Sequence, residues 1–546
     1  MATTAVDVLV IGGGATGAAA AYDLARRGVR VLLAEQRDLS TGTSGRYHGL
    51  LHSGGRYAVR DPETARECIL ENRVLRRIAP FAIEDTGGLF VATALDPPDF
   101  PQQWVTGCAE AGIPTEKLTP GQAREHEPTL ATDITAVYRV PDGSCDSFDL
   151  VHVFVNAMRL FGGDALIYHR VRALLREGDA VVGAELEDTR TGEVRTVHAA
   201  CVLNAAGPWA GVVAGLAGLD VRIRFDRGAM IAMNTRWVNT VVNRLRPAAD
   251  GDILVPVGTV CVLGTTSVHT DRPDDNTIEN WEVNKILAEA DAVVPGIRAG
   301  RALRAWSGVR PLYEPPEAGH DDAVGRAVKR TFSVIDHVER DDVRGLVTVV
   351  GGKLTTCRLM GEQAADVVCA QLDMDKPGTT ADEALPVPAA PSRRYHQLDH
   401  RLRQLEHGEL AGELICECEM VTRRQLEDAI AAYGDQPVQL DDLRRDLRLG
   451  MGPCQAGFCS YRAAGILQQM HGTSGQEAVR ALADFVNERF RGVQPLLWGH
   501  GLRQFYLDEV IYRRTLGLDK LSWDADAEGD GAGDDAGIEG ADGFTL

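Results

Sequence analysis

Four cysteines late in the chain form two close pairs, and thiolates in such pairs can bind metal. One residue separates Cys416 from Cys418, four separate Cys454 from Cys459, and 35 residues lie between the two pairs. Four thiolates suit either a [2Fe-2S] cluster or a tetrahedral Zn²⁺ ion. Structural zinc sites prefer two residues between paired cysteines, and neither pair has that spacing. The iron-sulfur cluster, zinc and free thiols are therefore the alternatives at this point.

A glycine-rich segment near the start of the chain has the spacing of a dinucleotide-binding loop. Gly12, Gly14 and Gly17 fit the pattern G-x-G-x-x-G between an apolar run, residues 6–11, and an Ala-rich helical stretch. Such glycines allow a tight turn and close approach to a pyrophosphate at the helix N-terminus. Glu35 ends the next apolar run, where a carboxylate can accept hydrogen bonds from ribose hydroxyls. The pattern predicts a dinucleotide site rather than a structural turn, but it does not distinguish FAD from NAD.

The segment that follows this acid distinguishes the two cofactors. Residues 38–58, DLSTGTSGRYHGLLHSGGRYA, form a hydroxyl- and glycine-rich loop with two His and two Arg. Together with AAGPWA (205–210), WSGVRPL (306–312) and GGKLTT (351–356), this loop resembles the FAD-dependent glycerol-3-phosphate dehydrogenases. The resemblance extends from residue 5 to about residue 370.

Three later segments extend the resemblance through the cysteine-bearing region. ICECEMVT (415–422), MGPCQAGFC (451–459) and RGVQPLLWG (491–499) resemble the catalytic A subunits of anaerobic glycerol-3-phosphate dehydrogenases. The cysteine spacing is similar to that of [2Fe-2S] modules of the bacterioferritin-associated-ferredoxin type, which favours the cluster over zinc. The resemblance implies two partners, a B subunit and a membrane-associated iron-sulfur C subunit, with a quinone as the final acceptor.

The resemblance also implies a reaction and the residues that perform it. Members of the family oxidise the C2 carbinol of sn-glycerol 3-phosphate to dihydroxyacetone phosphate by hydride transfer to N5 of FAD. His52 matches the position of the proposed base, with His48 as the second candidate and a purely structural histidine as the alternative. Arg310 and Lys353 match catalytic positions. The residues implied to bind the substrate phosphate are Arg56, Arg310, Arg330 and Lys353.

The cofactor contacts are implied in the same way. Gly351 and Gly352 follow a strand and precede a helix that begins near Thr355, so amides and the helix dipole are suited to an anionic locus of the flavin. The residues expected to contact FAD are Gly12, Gly14, Gly17, Glu35, Thr43, Ser44, His48, Val171, Gly207, Gly351, Gly352, Leu354 and Thr355.

The order of apolar runs and glycines predicts an α/β protein. We expect a discontinuous, Rossmann-like FAD-binding domain with an inserted mixed-sheet substrate domain and a small C-terminal iron-sulfur module. Runs at 200–206 and 345–350 end in glycine-bearing loops, as strands of the first domain would, whereas 86–93 and 252–264 have strand character within the insertion. The expected boundaries are about 1–85, 145–225 and 326–375 for the FAD domain, 86–144 and 226–325 for the substrate domain, 376–400 for a linker, 401–523 for the iron-sulfur module and 524–546 for a disordered tail.

The charge of the chain excludes one class of partner and suggests a habitat. The formal charge is −21, from 57 basic and 78 acidic residues, which argues against binding nucleic acid. Only 6 of the basic residues are Lys, and 46 of the acidic ones are Asp, a balance typical of salt-adapted proteins. Residues 524–546 carry 8 of the acids and no base. Neither a signal peptide nor an apolar run long enough to span a bilayer is evident, so we expect a cytoplasmic protein held at the inner face of the membrane by its partners.

Two other interpretations of the sequence remain. One is a dehydrogenase or oxidase of the same fold that acts on 2-hydroxyglutarate or an amine, which would require clamps for a carboxylate rather than a phosphate. The other is a non-catalytic electron-transfer protein of the complex. The match at His52, Arg310 and Lys353 argues against the second interpretation. Substrate-dependent bleaching of the flavin would distinguish the first.

Overall fold

The computed structural model divides into two compact units, Met1–Leu410 and Ala411–Leu546. It describes residues 3–314, 331–386, 406–408, 412–434, 438–472, 474–497, 502–503, 506–507 and 510–511. Arg330, most of the predicted linker and the acidic tail therefore lie outside the described residues.

The strands are β1 (Thr3–Ile11), β2 (Val31–Ala34), β3 (Leu50–Leu51), β4 (Ile83–Glu84), β5 (Gly88–Thr93), β6 (Glu116–Leu118), β7 (Ile134–Val140), β8 (Gly143–Cys145), β9 (Asp164–Leu166), β10 (His169–Glu177), β11 (Ala180–Asp188), β12 (Val194–Asn204), β13 (Ile223–Met233), β14 (Val241–Arg244), β15 (Ile253–Val257), β16 (Val260–Gly264), β17 (Val268–Thr270), β18 (Ala302–Tyr313), β19 (Phe332–Asp336), β20 (Leu346–Gly351), β21 (Leu414–Cys416) and β22 (Val421–Thr422). The helices are α1 (Ala15–Arg26), α2 (Pro62–Ile78), α3 (Phe100–Ala111), α4 (Pro120–His126), α5 (Ser147–Leu160), α6 (Ala210–Gly215), α7 (Asn280–Val293), α8 (His337–Asp341), α9 (Cys357–Gln371), α10 (Arg423–Ala432), α11 (Leu440–Leu447), α12 (Cys459–His471) and α13 (Gly475–Arg491).

An eight-stranded sheet with a parallel centre forms the base of the first unit. Strand β1 pairs in parallel with β2 and β12, β2 pairs in parallel with β9, and β12 pairs in parallel with β20. Strands β10, β11 and β19 complete the sheet in antiparallel pairs. Helix α1 packs against α5 and α9. Because the central strands are parallel, the loops after β1, β2, β12 and β20 all leave from the same edge.

A nine-stranded, mostly antiparallel sheet forms the other layer of this unit. Its longest pairing joins β13 and β18 over almost their whole length, and this register places Asp226 directly opposite Arg310. The predicted strand character at 252–264 corresponds to the hairpin of β15 and β16. Strands β3, β4 and β8 form a small third sheet that holds the segment before His52.

The first residues of the predicted linker are attached to the first unit. The Lys376 ammonium donates to the Arg27 carbonyl at 2.9 Å, and the Thr380 hydroxyl donates to the buried Asp23 carboxylate at 2.8 Å. Leu385 is buried, and its amide donates to the Ile78 carbonyl at 2.9 Å.

The second unit is a small helical module with its own core. Strands β21 and β22 form a short antiparallel pair, and helices α10 to α13 surround buried side chains that include Leu426, Leu443 and Phe485. Within the described part of the chain, no helix is both long enough and apolar enough to cross a membrane.

Candidate functional site

A cavity of about 710 Å³ opens in the first unit at the edge where the parallel strands end. Its wall includes the loops that follow β1, β2, β12 and β20, together with part of β18. Twelve of the thirteen residues expected to contact FAD line it, namely Gly12, Gly14, Glu35, Thr43, Ser44, His48, Val171, Gly207, Gly351, Gly352, Leu354 and Thr355. Gly17 does not line the cavity and lies within α1.

The glycine loop is packed so tightly that side chains would not fit. Gly12 has φ +113°, and a Cβ there would lie 2.5 Å from the carbonyl oxygen of Ala205. A Cβ on Gly17 would lie 2.0 Å from the carbonyl oxygen of Gly12, so this glycine lets α1 approach the loop. Helix α1 begins beside the cavity, and its Ala15 amide donates to the Ser44 hydroxyl at 2.9 Å. The loop thus presents a helix N-terminus and a side-chain-free surface, which fits a pyrophosphate.

Glu35 lies at the cavity wall after β2. Its two carboxylate oxygens accept hydrogen bonds from the amides of Gly13 at 2.7 Å and Arg37 at 3.1 Å. Burial raises the pKa of Glu35, and these two hydrogen bonds oppose that effect by stabilising the charged form. Fixed in this way, the carboxylate is suited to accept further hydrogen bonds from ribose hydroxyls.

The opposite end of the cavity is formed where β20 turns into α9. Gly351 and Gly352 have φ of +88° and +73°, and a 3-10 turn at Leu354–Thr356 leads into the helix. A Cβ on Gly352 would lie 2.3 Å from the sulfur of Met360. This turn and the first amides of α9 supply the positive helix end that suits an anionic flavin locus.

His52 is connected directly to the start of α9. Its amide donates to the Thr355 hydroxyl at 3.1 Å, and its carbonyl accepts from the Asn72 side chain at 3.0 Å. The imidazole lies 5.7 Å from the ring of His48 and 5.7 Å from the ring of Tyr57, measured between ring centroids. These contacts fix a nearly buried histidine at the cavity wall.

Three of the cationic residues that line the same cavity as His52 are predicted substrate residues. They are Arg56, Arg310 and Lys353. The Lys353 ammonium lies 5.0 Å from the centroid of the Tyr57 ring, within the range of a cation-π contact. The structure therefore brings together every predicted substrate residue that it describes.

Each of the two arginines is held by a buried aspartate. Arg310 donates to Asp226 at 2.8 Å and to the Thr265 hydroxyl at 2.7 Å, so its guanidinium plane is fixed. A Cβ on Gly228 would lie 2.3 Å from Nη2 of Arg310, which shows that this glycine makes room for the guanidinium. Arg56 makes a longer contact, 3.3 Å, with the fully buried Asp252.

Sequence reasoning missed three residues of this arrangement. Tyr57 directly follows Arg56 in a motif that resembles the family, so the sequence could have indicated it as a site residue. Asp226 and Asp252 had no such signal, because they are 84 and 196 residues from the arginines they hold.

The second unit brings the four paired cysteines together. The thiol of Cys459 is hydrogen-bonded with those of Cys416 and Cys454, and Cys454 is also hydrogen-bonded with Cys418. All four are free cysteines. Within the described residues, no three His, Cys, Asp or Glu side chains form a group placed to hold one metal ion.

The loop before α12 fits closely around these sulfurs. A Cβ on Gly452 would lie 2.3 Å from Cβ of Cys418, so only glycine allows this approach. Hydrogen bonds from the Cys418 and Cys459 thiols, and then from the amides of Phe458 and Ala456, lower the pKa of Cys454. Three thiol–thiol hydrogen bonds link the four cysteines, and backbone amides are directed at Cys416 and Cys454. This arrangement fits the four-thiolate ligand set of a [2Fe-2S] cluster.

Comparison with protein-family models agrees with both sites. Residues 7–367 match the family model described as FAD dependent oxidoreductase, and residues 414–469 match the BFD-like [2Fe-2S] binding domain. The chain is thus a member of the FAD-dependent oxidoreductases that carries an iron-sulfur module.

Comparison with individual proteins defines the family more narrowly. The chain is 42% identical over 538 residues to the A subunit of the anaerobic glycerol-3-phosphate dehydrogenase of Escherichia coli (strain K12), covering 95% of this chain and 98% of that one. It is 41% identical over 559 residues to the A1 subunit of the same enzyme from Haloferax volcanii, covering 97% and 94%. The chain belongs to the family of anaerobic glycerol-3-phosphate dehydrogenase A subunits.

A solved structure agrees with the fold. The glycerol-3-phosphate dehydrogenase from Bacillus halodurans, complexed with FAD, superposes with a TM-score of 0.63 at 21% identity, covering 90% of this chain and 96% of that one. The predicted family, the α/β fold class, FAD and the [2Fe-2S] module are confirmed. The domain boundaries and the roles of individual site residues stay predictions.

Proposed function

We propose that the chain oxidises sn-glycerol 3-phosphate to dihydroxyacetone phosphate and passes the electrons to partner subunits and then to a quinone. The chemistry that FAD would supply when bound is acceptance of the hydride from C2 of the substrate. The observation that carries the proposal is the shared cavity, since the loops suited to FAD and the four residues His52, Arg56, Arg310 and Lys353 line one space.

Arg56, Arg310 and Lys353 are the cations of this cavity that are proposed to bind the substrate phosphate. A phosphate dianion is held best by several charge-assisted donors, and guanidinium groups offer paired N–H donors in a fixed plane. Arg310 is already oriented by Asp226 and Thr265, so little side-chain entropy is lost when it binds an anion. Arg330 belongs to the same proposed set on the basis of the sequence resemblance alone.

His52 is proposed as the general base. An alcohol gives up a hydride more easily when a base takes its hydroxyl proton, and imidazole is suited to that near neutral pH. Contacts with Thr355 and Asn72 fix the backbone of His52, and the rings of His48 and Tyr57 lie beside the imidazole. In this proposal His52 accepts the hydroxyl proton at its imidazole ring, and His48 is the second candidate.

The partners of the chain are proposed from its relatives. Those named above are A subunits, which implies an enzyme of several subunits. We infer that B and C subunits receive electrons from this chain and hold it at the inner face of the membrane. The cysteine module, separate from the catalytic cavity in the chain, would carry electrons rather than take part in the oxidation.

Replacing Arg310 by Met tests the phosphate role. Losing a charge-assisted bond of about 1.5–3 kcal/mol should lower kcat/KM for glycerol 3-phosphate roughly 10- to 150-fold. The kcat/KM for glycerol, which has no phosphate, should fall far less. Arg310→Lys, which keeps the charge but not the planar fork, should show a smaller loss than Arg310→Met.

A matched control is Arg222→Met, which replaces an exposed arginine that pairs with Asp220 at the surface. It should leave kcat/KM unchanged for both substrates. Equal losses on glycerol 3-phosphate and glycerol in Arg310→Met would contradict a role in phosphate binding.

A further inference from the structure

Helix α13 of the second unit packs against residues 448–458, the loop before α12 that carries Cys454 and is called the cysteine loop below. A Cβ on Gly450 would lie 3.1 Å from the ring of Phe485, so this helix face touches the loop. Arg489 lies one turn further along the same face and is 2% exposed. Its guanidinium donates to the side-chain oxygen of Gln455 at 2.6 Å. Gln455 directly follows Cys454, so one side chain separates the buried cation from a cysteine of the cluster site.

Gln455 is itself fixed to the loop. Its side-chain nitrogen donates to the carbonyl of Gly452 at 2.9 Å and to that of Met451 at 3.2 Å. The amide group therefore connects Arg489 to the backbone between the cysteines. This contact is rigid because both the oxygen and the nitrogen of the Gln455 side-chain amide are hydrogen-bonded.

No acid in the described part of the chain balances the charge of Arg489. Among the residues that the structure describes, none provides a carboxylate within 4.0 Å of this guanidinium, and its Nε has no hydrogen-bond partner. Another buried arginine of this unit differs, since Arg448 forms an ion pair with the buried Glu419 at 3.1 Å. A buried charge is costly unless an opposite charge lies close by.

The cluster that fits this module supplies such a charge. Residues 414–469 match a [2Fe-2S] binding domain, and a cluster of that type held by four thiolates has a net negative charge. Reduction adds one electron to the cluster, with no atom gained or lost, and makes that charge one unit more negative. A fixed cation nearby stabilises the reduced form more than the oxidised form.

We propose that Arg489 is a positioning residue for the iron-sulfur module that raises the reduction potential of the cluster and holds the cysteine loop through Gln455. The buried cation makes the cluster a better electron acceptor than the four thiolates alone would make it. The proposal goes beyond the proposed oxidation of glycerol 3-phosphate and does not depend on the substrate of the flavin site.

A redox titration of the full-length holoprotein with dithionite, monitored by the electron paramagnetic resonance signal of the reduced cluster, tests the proposal. Arg489→Met should shift the midpoint potential of the cluster to a more negative value. Arg489→Lys keeps the charge and should give a value closer to that of the wild type. The flavin midpoint, read by absorption in the same titration, should be the same in all proteins.

Arg491→Met is the matched control, because it makes the same replacement on the same helix at a side chain that is 77% exposed. Its cluster potential should equal that of the wild type. Gln455→Glu provides a second test that leaves Arg489 in place, since a carboxylate bonded to the guanidinium would cancel its charge. It should also shift the potential to a more negative value.

Two results would overturn the proposal. One is an unchanged potential in both Arg489→Met and Gln455→Glu, and the other is an equal shift in Arg491→Met. If Arg489→Met does not retain iron and sulfide, the proposal is judged on Arg489→Lys and Gln455→Glu. A cluster midpoint potential in Gln455→Glu equal to that of the wild type would then reject the electrostatic role.

Discussion

The proposed removal of the substrate hydroxyl proton depends on a single side chain at the wall of the cavity. We predict that His52→Gln slows flavin reduction by glycerol 3-phosphate about 10²- to 10⁴-fold, because glutamine cannot take up the hydroxyl proton. FAD should stay bound, since the contacts of residue 52 with Thr355 and Asn72 use its backbone. Single-turnover stopped-flow absorption measures the rate directly.

His198→Gln is a suitable control because His198 is exposed on β12, away from the cavity wall. It should reduce its flavin at the wild-type rate. If His52→Gln also reduces its flavin at nearly that rate, His52 is not the base, and the same measurement on His48→Gln becomes decisive.

Residues that bear the chemistry were easier to predict than the residues that orient them. His52, Arg56, Arg310 and Lys353 lie in motifs that resemble a family, so the sequence indicated them. Asp226 reaches Arg310 only because β13 and β18 pair in one particular register. In a chain with 46 aspartates, nothing local distinguishes such a residue.

At the scale of elements, the turn between β1 and α1 determines whether the cofactor can approach. We predict that Gly12→Ala loses most of its bound FAD, because the new Cβ would lie 2.5 Å from a backbone oxygen at φ +113°. The ratio of flavin to protein after purification measures this loss, and thermal unfolding reports any effect on the fold.

Gly192→Ala is a control that introduces backbone strain without the steric clash expected in Gly12→Ala. Gly192 also has positive φ, +75°, but a Cβ there has nothing within 4 Å. This variant should lose only about 1–2 kcal/mol of stability from the left-handed conformation and keep its FAD. Equal flavin content in the two variants would show that the close approach at Gly12 is not needed for binding.

Elements were predictable where their signals are local. The strand-glycine-helix opening and the strands that end near residues 204 and 351 follow from short apolar runs and the glycines after them. The pairing of β13 with β18 was not predicted, because β18 interrupts its apolar residues with Arg, Ser and Pro and its partner is distant in sequence. Long-range pairing of this kind depends on the whole sheet rather than on the strand.

At the scale of the whole molecule, net charge makes stability depend on salt. Without residues 524–546 the chain still has a formal charge of −13, because that segment accounts for −8 of −21. We predict that Tm rises from dilute to molar KCl, since salt screens the repulsion among the acids. Deleting residues 524–546 should change the dependence of Tm on KCl concentration only slightly. A flat or falling Tm over that range would contradict the salt-adapted interpretation.

An anaerobic titration of the purified holoprotein with sn-glycerol 3-phosphate tests whether the cavity is a glycerol 3-phosphate dehydrogenase site. We predict that the visible absorption of the flavin bleaches and that dihydroxyacetone phosphate forms in an amount matching the flavin reduced. 2-Hydroxyglutarate and a simple amine should leave the flavin oxidised at the same concentrations, because neither carries the phosphate that Arg310 and Lys353 are proposed to bind. A flavin that stays oxidised with glycerol 3-phosphate and bleaches with 2-hydroxyglutarate or the amine would contradict the assignment of the cavity to glycerol 3-phosphate.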